Sequence, residues 1–422
     1  MNDQLRRIID AVSGDDALWS DFNALCDCGG RRAGTESETK SLDLAQQRLA
    51  AIGRQVRSEP VAYAGWRLHH ASLLLEDGTS LSCNPLLGSQ STAAAGVTGE
   101  IWDVGRGAPE DFERHAGDIR GCFVLVRHEY PFSPQHVHRR RKLGYAMERG
   151  AAGFIIANPN PASGPVSGSS GRGGQAGIPA VGTDFEAAER LSHLSGTRAR
   201  VCLNVQAEDY TADTRVLTLD LPGSGPGWVV LSAHLDGHDL AESAMDNATG
   251  VAAAFAIARA MAPQMATAER GLRVSLFSAE EWALAGSKQY LASLPAHERD
   301  AIALNVNLDT VAGDDRLTAL TTDFERLDAW MRRVSEEAKL GVGTYLPTMS
   351  NSDHYNFAQH GIPALRLVAG FDNPASNIRY ILTRGDTRDK VREADLVAAA
   401  RTAAMLVWRA LIASEAELAA LR

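Results

Sequence analysis

The stretch VVLSAHLDG, residues 229–237, is an apolar strand pattern that ends in a polar side chain, His234. Two later apolar strands end in the same way: RVSLFSAEE runs into Glu280 and Glu281, and ALNVNLD into Asp309. A single acidic residue after a strand often only favours the N-terminus of the next helix. Because ligands bind at the carboxyl ends of strands in open α/β sheets, three strands that end alike predict one shared site.

The residue types at these strand ends are those of a metal site. Asp236 lies two residues beyond His234, so both side chains point the same way in an extended chain, and Asp236 is placed to orient the imidazole. Asp246, in AMDNATG, either caps the following helix or reaches back to a metal held by His234. One histidine with several carboxylates suits zinc, with manganese or cobalt as alternatives.

The adjacent glutamates Glu280 and Glu281 can have different roles at such a site. In a tight turn one carboxylate can face a metal and its neighbour the water that the metal activates. We assign Glu280 as the general base and Glu281 as a metal ligand.

Composition excludes several classes of function. The 422 residues carry a net charge of −10, which argues against a nucleic-acid partner. The sequence has no apolar run of about 18 residues, so we expect no membrane association. The N-terminal segment lacks a secretory pattern, and the five cysteines are scattered, so we expect a cytoplasmic location.

The local sequence pattern changes twice along the chain. Helical patterns fill the first sixty residues, and short β-like runs separated by Gly/Ser/Pro-rich segments extend to about residue 206. One such segment, 158–177, is so rich in glycine that we expect a mobile loop. Beyond it, apolar strands alternate with helices, which predicts an open α/β sheet with helices on both faces.

These motifs together resemble the zinc aminopeptidase superfamily of the aminopeptidase Y type, which includes glutamate carboxypeptidase II and glutaminyl cyclase. The resemblance extends over nearly the whole chain. Its remaining motifs are CGGRRAGT in the N-terminal region, the helix start D-N-A-T-G, the run E-E-x-x-x-x-G-S, S-D-H-x-x-F-x-x-x-G-I-P from Ser352, and the pair Asp386-Thr387. The middle segment, with VTGEIWDVGRG, DIRGCFVLVRHE and GIPAVGT, resembles a protease-associated domain.

The resemblance implies a three-layer αβα sandwich with a mixed, mostly parallel eight-stranded sheet, formed by residues 1–62 and 207–422. A mostly-β protease-associated-like domain, 63–206, is inserted. It also implies a site for one or two zinc ions. Asp246 would bridge two metals, His234 and Asp309 would hold the first, and Glu281 and a late histidine would hold the second.

The late histidine is missing. The superfamily pattern Y-x-H-[TS]-x-x-D-T is replaced by YILTRGDT, so Leu382 occupies the ligand position, and leucine cannot coordinate a metal. Three interpretations follow: the second metal is lost, another histidine replaces the missing one, or catalysis is altered or absent. His238 and the pair His136/His138 are the candidate replacements, although a solvated loop histidine is the simpler interpretation of His238.

Two further groups are candidates for substrate contact. Asp353 and His354 of the S-D-H motif could touch the substrate amine or support the ligands. The run QHVHRRRK, 135–142, reads most simply as a solvated basic face. Its functional alternative is that Arg139, Arg140 or Arg141 binds a substrate carboxylate.

The sequence thus predicts a metal-dependent hydrolase of a peptide or small amide bond, aminopeptidase-like, with Glu280 as general base. A specialised amidohydrolase or acyl-transfer enzyme with an altered metal site, and a non-catalytic binding protein on the same fold, remain alternatives. The apolar C-terminal helix covers the sheet or, alternatively, forms a homodimer face.

Overall fold

The computed structural model describes residues 3–53 and 56–422. The chain forms two compact units. The first contains residues up to Tyr63, Asp213–Ile378 and Asp386–Arg422, and the second contains Ala64–Ala212 and Arg379–Gly385. The domain limits expected from sequence, 63–206, differ from this division in the second boundary and in the short late segment, which belongs to the second unit.

The helices are concentrated in the first unit. In chain order they are α1 (Asp3–Ser13), α2 (Asp16–Asp27), α3 (Glu36–Ile52), α4 (Pro109–Arg114), α5 (Arg139–Glu148), α6 (Phe185–Leu194), α7 (Thr249–Met261), α8 (Ala285–Ser293), α9 (Ala296–Asp300), α10 (Glu325–Ala338), α11 (His354–Gln359), α12 (Glu393–Leu411) and α13 (Glu415–Ala419).

The strands are divided between the units, and two long ones continue from one unit into the other. In chain order they are β1 (Val56–Leu75), β2 (Ser80–Leu81), β3 (Cys83–Pro85), β4 (Val97–Asp103), β5 (Phe123–Arg127), β6 (Gly153–Ala157), β7 (Ala180–Thr183), β8 (Arg200–Leu221), β9 (Trp228–His234), β10 (Gly271–Phe277), β11 (Ile302–Leu308), β12 (Leu317–Leu320), β13 (Gly343–Tyr345) and β14 (Ala364–Ala369).

The sheet of the first unit is mixed and mostly parallel, as predicted. Its order is β13-β12-β14-β11-β9-β10-β8, and β1 also pairs with β8. The pairs β12/β14 and β10/β8 are antiparallel, while the central pairs β14/β11, β11/β9 and β9/β10 are parallel. Every residue of β10 and β14 is buried, so helices cover both faces of the sheet.

The apolar C-terminal helix α12 is part of the core of the first unit. It packs on α1 and α7, and large side chains such as Leu406, Val407 and Trp408 are buried within the unit. This accounts for an apolar surface on more than one side of the helix without a partner chain.

The second unit contains a smaller mixed sheet. The strands β4, β5, β6 and β7 are parallel neighbours, and β3 pairs antiparallel with β7. The glycine-rich segment 158–177 does not behave throughout as the mobile loop expected from its composition. Val166 is buried in the apolar core of this unit, and Ser163 and Ser167–Ser170 are buried too.

Within the described residues, no helix combines the length and the apolar character needed to cross a membrane.

Candidate metal centre

Three adjacent parallel strands bring the predicted residues to one edge of the sheet. The order is β11-β9-β10, so the strand that ends at His234 lies between the other two. His234 pairs in register with Phe277, three residues before Glu280. Asn307 pairs with Ser232, which places Asp309 level with the end of β9. The parallel register thus gathers the strand-end residues at one place.

His234, Asp246 and Asp309 form a compact group of potential metal ligands. One ligand atom from each lies within 4.8 Å of the others. The His234 Nε2 atom is 3.0 Å from Asp246 Oδ1 and 3.5 Å from Asp309 Oδ1. His234 Nδ1 lies 3.1 Å from the carbonyl oxygen of Asp236, which fixes the proton on Nδ1 and leaves Nε2 for a metal.

The carboxylate of Asp236 has a second task beside the predicted one. It lies 3.7 Å from His234 Nδ1, and the backbone carbonyl of Asp236 is the closer partner of the imidazole. The two carboxylate oxygens instead accept the backbone N–H groups of Glu280, at 3.0 Å, and Glu281, at 3.1 Å. Asp236 therefore positions the glutamate turn through its side chain, and it contacts the histidine through both its backbone carbonyl and its carboxylate.

Asp246 does not cap a helix. It lies in the irregular turn Ala244–Ala248, before α7, and its backbone N–H and that of Met245 point at the Asp386 carboxylate, at 3.3 and 2.7 Å. The neighbouring Asn247 donates to Leu308 O at 2.9 Å and so joins the turn to the end of β11. These bonds hold the Asp246 side chain against His234, as the metal interpretation requires.

Asp309, one of the three potential ligands, is held by two buried partners. Its Oδ2 accepts from Ser352 Oγ at 2.5 Å, and its Oδ1 lies 3.0 Å from the buried guanidinium of Arg366. Burial alone would raise the pKa of this carboxyl, but the charges of Arg366 and His234 outweigh it and lower the pKa. Asp309 is therefore ionised and available as a ligand.

Glu280 lies on a tight turn whose backbone conformation is constrained by the residues around it. Ala279 adopts a φ of 56°, and a Cβ on Gly286 would come within 1.9 Å of the carbonyl oxygen of Ser278. The glycine of the E-E-x-x-x-x-G-S run is thus required for α8 to pack against this turn. Burial, together with Glu281 and Asp353, raises the pKa of Glu280 well above its usual value despite the opposing charge of His234.

Glu281 is paired with His238, for which a solvated loop position is the simpler interpretation of the sequence. His238 is 4% exposed, and its Nε2 lies 2.8 Å from Glu281 Oε2. The expectation of a solvated loop histidine was therefore wrong. The loop after His234 packs against Arg31 and Gly30. Local composition does not reveal this long-range contact.

Arg31, from the N-terminal CGGRRAGT turn, holds this loop in place. Its fully buried guanidinium donates to Leu235 O at 2.9 Å, Glu242 O at 2.7 Å and Ser243 O at 2.7 Å. It thereby fixes both ends of the segment that contains Asp236 and His238. The motif was visible in the sequence, but its role as an anchor for the site was not.

Asp353 and His354 are buried beside the same group. Burial raises the pKa of Asp353 to about 7, opposed by the charge of His234, and burial lowers the pKa of His354 to about 3, with the charge of Arg366 acting in the same direction. The preceding Ser352 is the member of the motif that contacts Asp309, a potential ligand. A substrate role for Asp353 and His354 stays a prediction.

The remaining candidates lie in the second unit. His136 and His138 are half-buried, Arg139 and Lys142 are buried and Arg141 is exposed, so the run 135–142 is only in part the solvated basic face that we expected. Arg139 is buried and donates from Nε to Ser169 O at 3.0 Å. A substrate-binding role for Arg139 and Arg140 stays a prediction.

Leu382 also belongs to the second unit. Its side chain packs against the apolar core cluster of that unit, and its carbonyl oxygen accepts from Ser167 N at 2.7 Å. The residue at the late histidine position is therefore an apolar packing residue.

The donor set fits a zinc site. One imidazole nitrogen and two carboxylates converge at His234, Asp246 and Asp309. Beside them, Glu281 Oε1 is buried and has no hydrogen-bond partner among the described residues. A buried carboxylate oxygen without a donor is costly unless a cation satisfies it.

Family models match both units of the chain. Residues 217–407 match "Peptidase family M28", and residues 85–191 match "PA domain".

Relatives extend the match over most of the chain. The aminopeptidase YwaD of Bacillus subtilis (strain 168) is 25% identical over 88% of this chain and 80% of its own length. The probable lipoprotein aminopeptidase LpqL of Mycobacterium tuberculosis is 27% identical over 81% of this chain and 70% of its own. The crystal structure of BSAP, a zinc aminopeptidase from Bacillus subtilis, superposes with a TM-score of 0.73 at 23% identity, covering 93% of this chain and 94% of that one.

The comparisons agree with the predicted superfamily, fold and metal-dependent chemistry, and they do not favour the acyl-transfer, amidohydrolase or binding-protein alternatives. The chain is a metallohydrolase whose residues 217–407 are similar to peptidase family M28, and it carries an inserted PA domain.

Proposed function

We propose that this protein is a zinc-dependent aminopeptidase that removes residues from the N-terminus of small peptides. The observation that carries the proposal is the group His234, Asp246 and Asp309 beside the buried Glu280. The names of the relatives YwaD and LpqL support an aminopeptidase.

The three clustered ligands would hold the catalytic zinc. When bound there, zinc supplies a Lewis acid that polarises the scissile carbonyl and lowers the pKa of water. Asp246 and Asp309 offer carboxylate oxygens, and His234 offers Nε2 because its Nδ1 is committed to the backbone of Asp236. Manganese and cobalt remain alternatives for the same oxygen and nitrogen donors.

Glu280 would act as the general base. Its carboxylate would take a proton from the attacking water and return it to the leaving amine. Glu280 is buried on the turn after β10, beside the ligand group. Asp236 keeps it in position by accepting its backbone N–H.

A substrate panel tests the proposal. The zinc-loaded protein is assayed with leucine p-nitroanilide and with the same compound acetylated on its amine, and the assays are repeated after chelation. We expect turnover of the free amine alone, loss of turnover on chelation and recovery with zinc. Turnover restricted to acylated or carbamoylated compounds would contradict an aminopeptidase.

A cytoplasmic location and a homodimer stay separate proposals. Cell fractionation tests the location, and light scattering of the purified protein tests the oligomeric state.

A further inference from the structure

The side chains of His238 and Glu281 are buried, and neighbouring residues hold them in place, as they do the ligand group. The two side chains are 4% and 9% exposed, with His238 Nε2 2.8 Å from Glu281 Oε2. Ser243 fixes the backbone of His238: its Oγ accepts from His238 N at 2.9 Å and donates to His238 O at 3.2 Å. The imidazole is thus held in place and not left to move with a surface loop.

The backbone of the His238 loop is packed tightly against neighbouring segments. A Cβ on Gly30 would lie 2.0 Å from the His238 carbonyl oxygen, and a Cβ on Gly237 would lie 2.5 Å from Ser243 Oγ. The two glycines thus permit close approach of the N-terminal turn to this loop. A ligand supported in this way is preorganised for binding.

Glu281 has an unsatisfied oxygen at this place. Its Oε2 faces His238, while Oε1 is buried with no hydrogen-bond partner in the part of the chain that the structure describes. Asp246 is close enough that its charge acts on the Glu281 carboxyl. A buried carboxylate with an open oxygen beside an imidazole nitrogen is costly to leave without a cation.

We propose that His238 and Glu281, together with Asp246, would hold a second zinc ion. His238 thereby replaces the late histidine of the superfamily pattern, whose position holds Leu382. One imidazole nitrogen and two carboxylates suit zinc. This inference rests on the proposed function, because it adds a second metal to the same catalytic centre.

Zinc stoichiometry of the full-length protein tests the inference. The wild type, His238→Ala and Glu281→Gln are purified, dialysed against equal free zinc and measured by inductively coupled plasma mass spectrometry. His360→Ala is the matched control, because His360 is an exposed histidine of the same unit. We expect two zinc ions per chain for the wild type and the control, and one for each of the two site variants.

The outcomes separate the inference from the proposed function. Two zinc ions retained in His238→Ala would overturn the inference, as would one zinc ion in a wild type that still cleaves leucine p-nitroanilide; in the latter case the proposed function stands. No zinc in a wild type without turnover would overturn both. Glu281→Gln preserves side-chain shape, so it decides the matter should His238→Ala fail to fold, which circular dichroism reports.

Discussion

The two halves of the metal centre come from different structural elements: one from strand ends, the other from loops. His234 and Asp309 come from the ends of adjacent parallel strands, where the sheet itself fixes their spacing. His238 and Glu281 come from loops that other segments must hold, through Arg31, Ser243 and Asp236. Strand ends preserve a ligand position. A loop can supply a ligand from a new place in the sequence, provided that something anchors it.

The largest effect is expected from the strand-end half. His234→Gln removes the imidazole that lies between Asp246 and Asp309, so we expect turnover at background level and the loss of one zinc ion per chain. His360→Gln, at an exposed position, should match the wild type. Substantial turnover by His234→Gln would mean that the catalytic metal lies elsewhere.

A smaller and more selective effect is expected from the loop half. In Gly30→Ala the new Cβ would meet His238 O at 2.0 Å, so the loop must shift and take the imidazole with it. We expect a destabilisation of about 1–3 kcal/mol, typical of overpacking, and weaker binding of one zinc ion.

The control for this change is Gly14→Ala, since the nearest atom to a Cβ there lies at 3.4 Å. Thermal melting and zinc titration measure both variants. Unchanged zinc binding in a folded Gly30→Ala would show that the N-terminal turn does not position His238.

The smallest effect is expected from a residue that only supports a ligand. Ser352→Ala removes the hydroxyl that donates to Asp309 Oδ2 at 2.5 Å, but Arg366 still holds the other oxygen. Loss of one supporting hydrogen bond typically costs about 10–100-fold in metal affinity, and we expect the lower end. Competition with a zinc chelator measures it. An effect as large as that of His234→Gln would instead make Ser352 part of the ligand set.

The fold and the strand-end half could be predicted from the sequence because their signals are local. Apolar strands such as 229–234 end directly in ligand-type residues, and the sheet topology brings those ends together. The motif around Asp246 and the glutamate pair added the family resemblance, which the comparisons support.

The loop half could not be predicted because its determinants are distant in sequence. His238 is buried by Gly30, more than two hundred residues earlier, and its apparent status as a surface histidine followed from polar neighbours alone. The second task of Asp236 was not predicted for a related reason. Two-residue spacing predicts the direction of a side chain, but not that the turn holding Glu280 offers it two backbone N–H groups.

The central claim is that Glu280 transfers the proton in a zinc-dependent hydrolysis, and one comparison tests it most directly. Turnover of leucine p-nitroanilide is measured for the wild type and Glu280→Gln at equal, verified zinc content. Loss of a general base typically costs about 10²–10⁴-fold, so we predict a fall of that size in kcat with zinc binding retained. Equal kcat for the two proteins at equal zinc content would contradict the account.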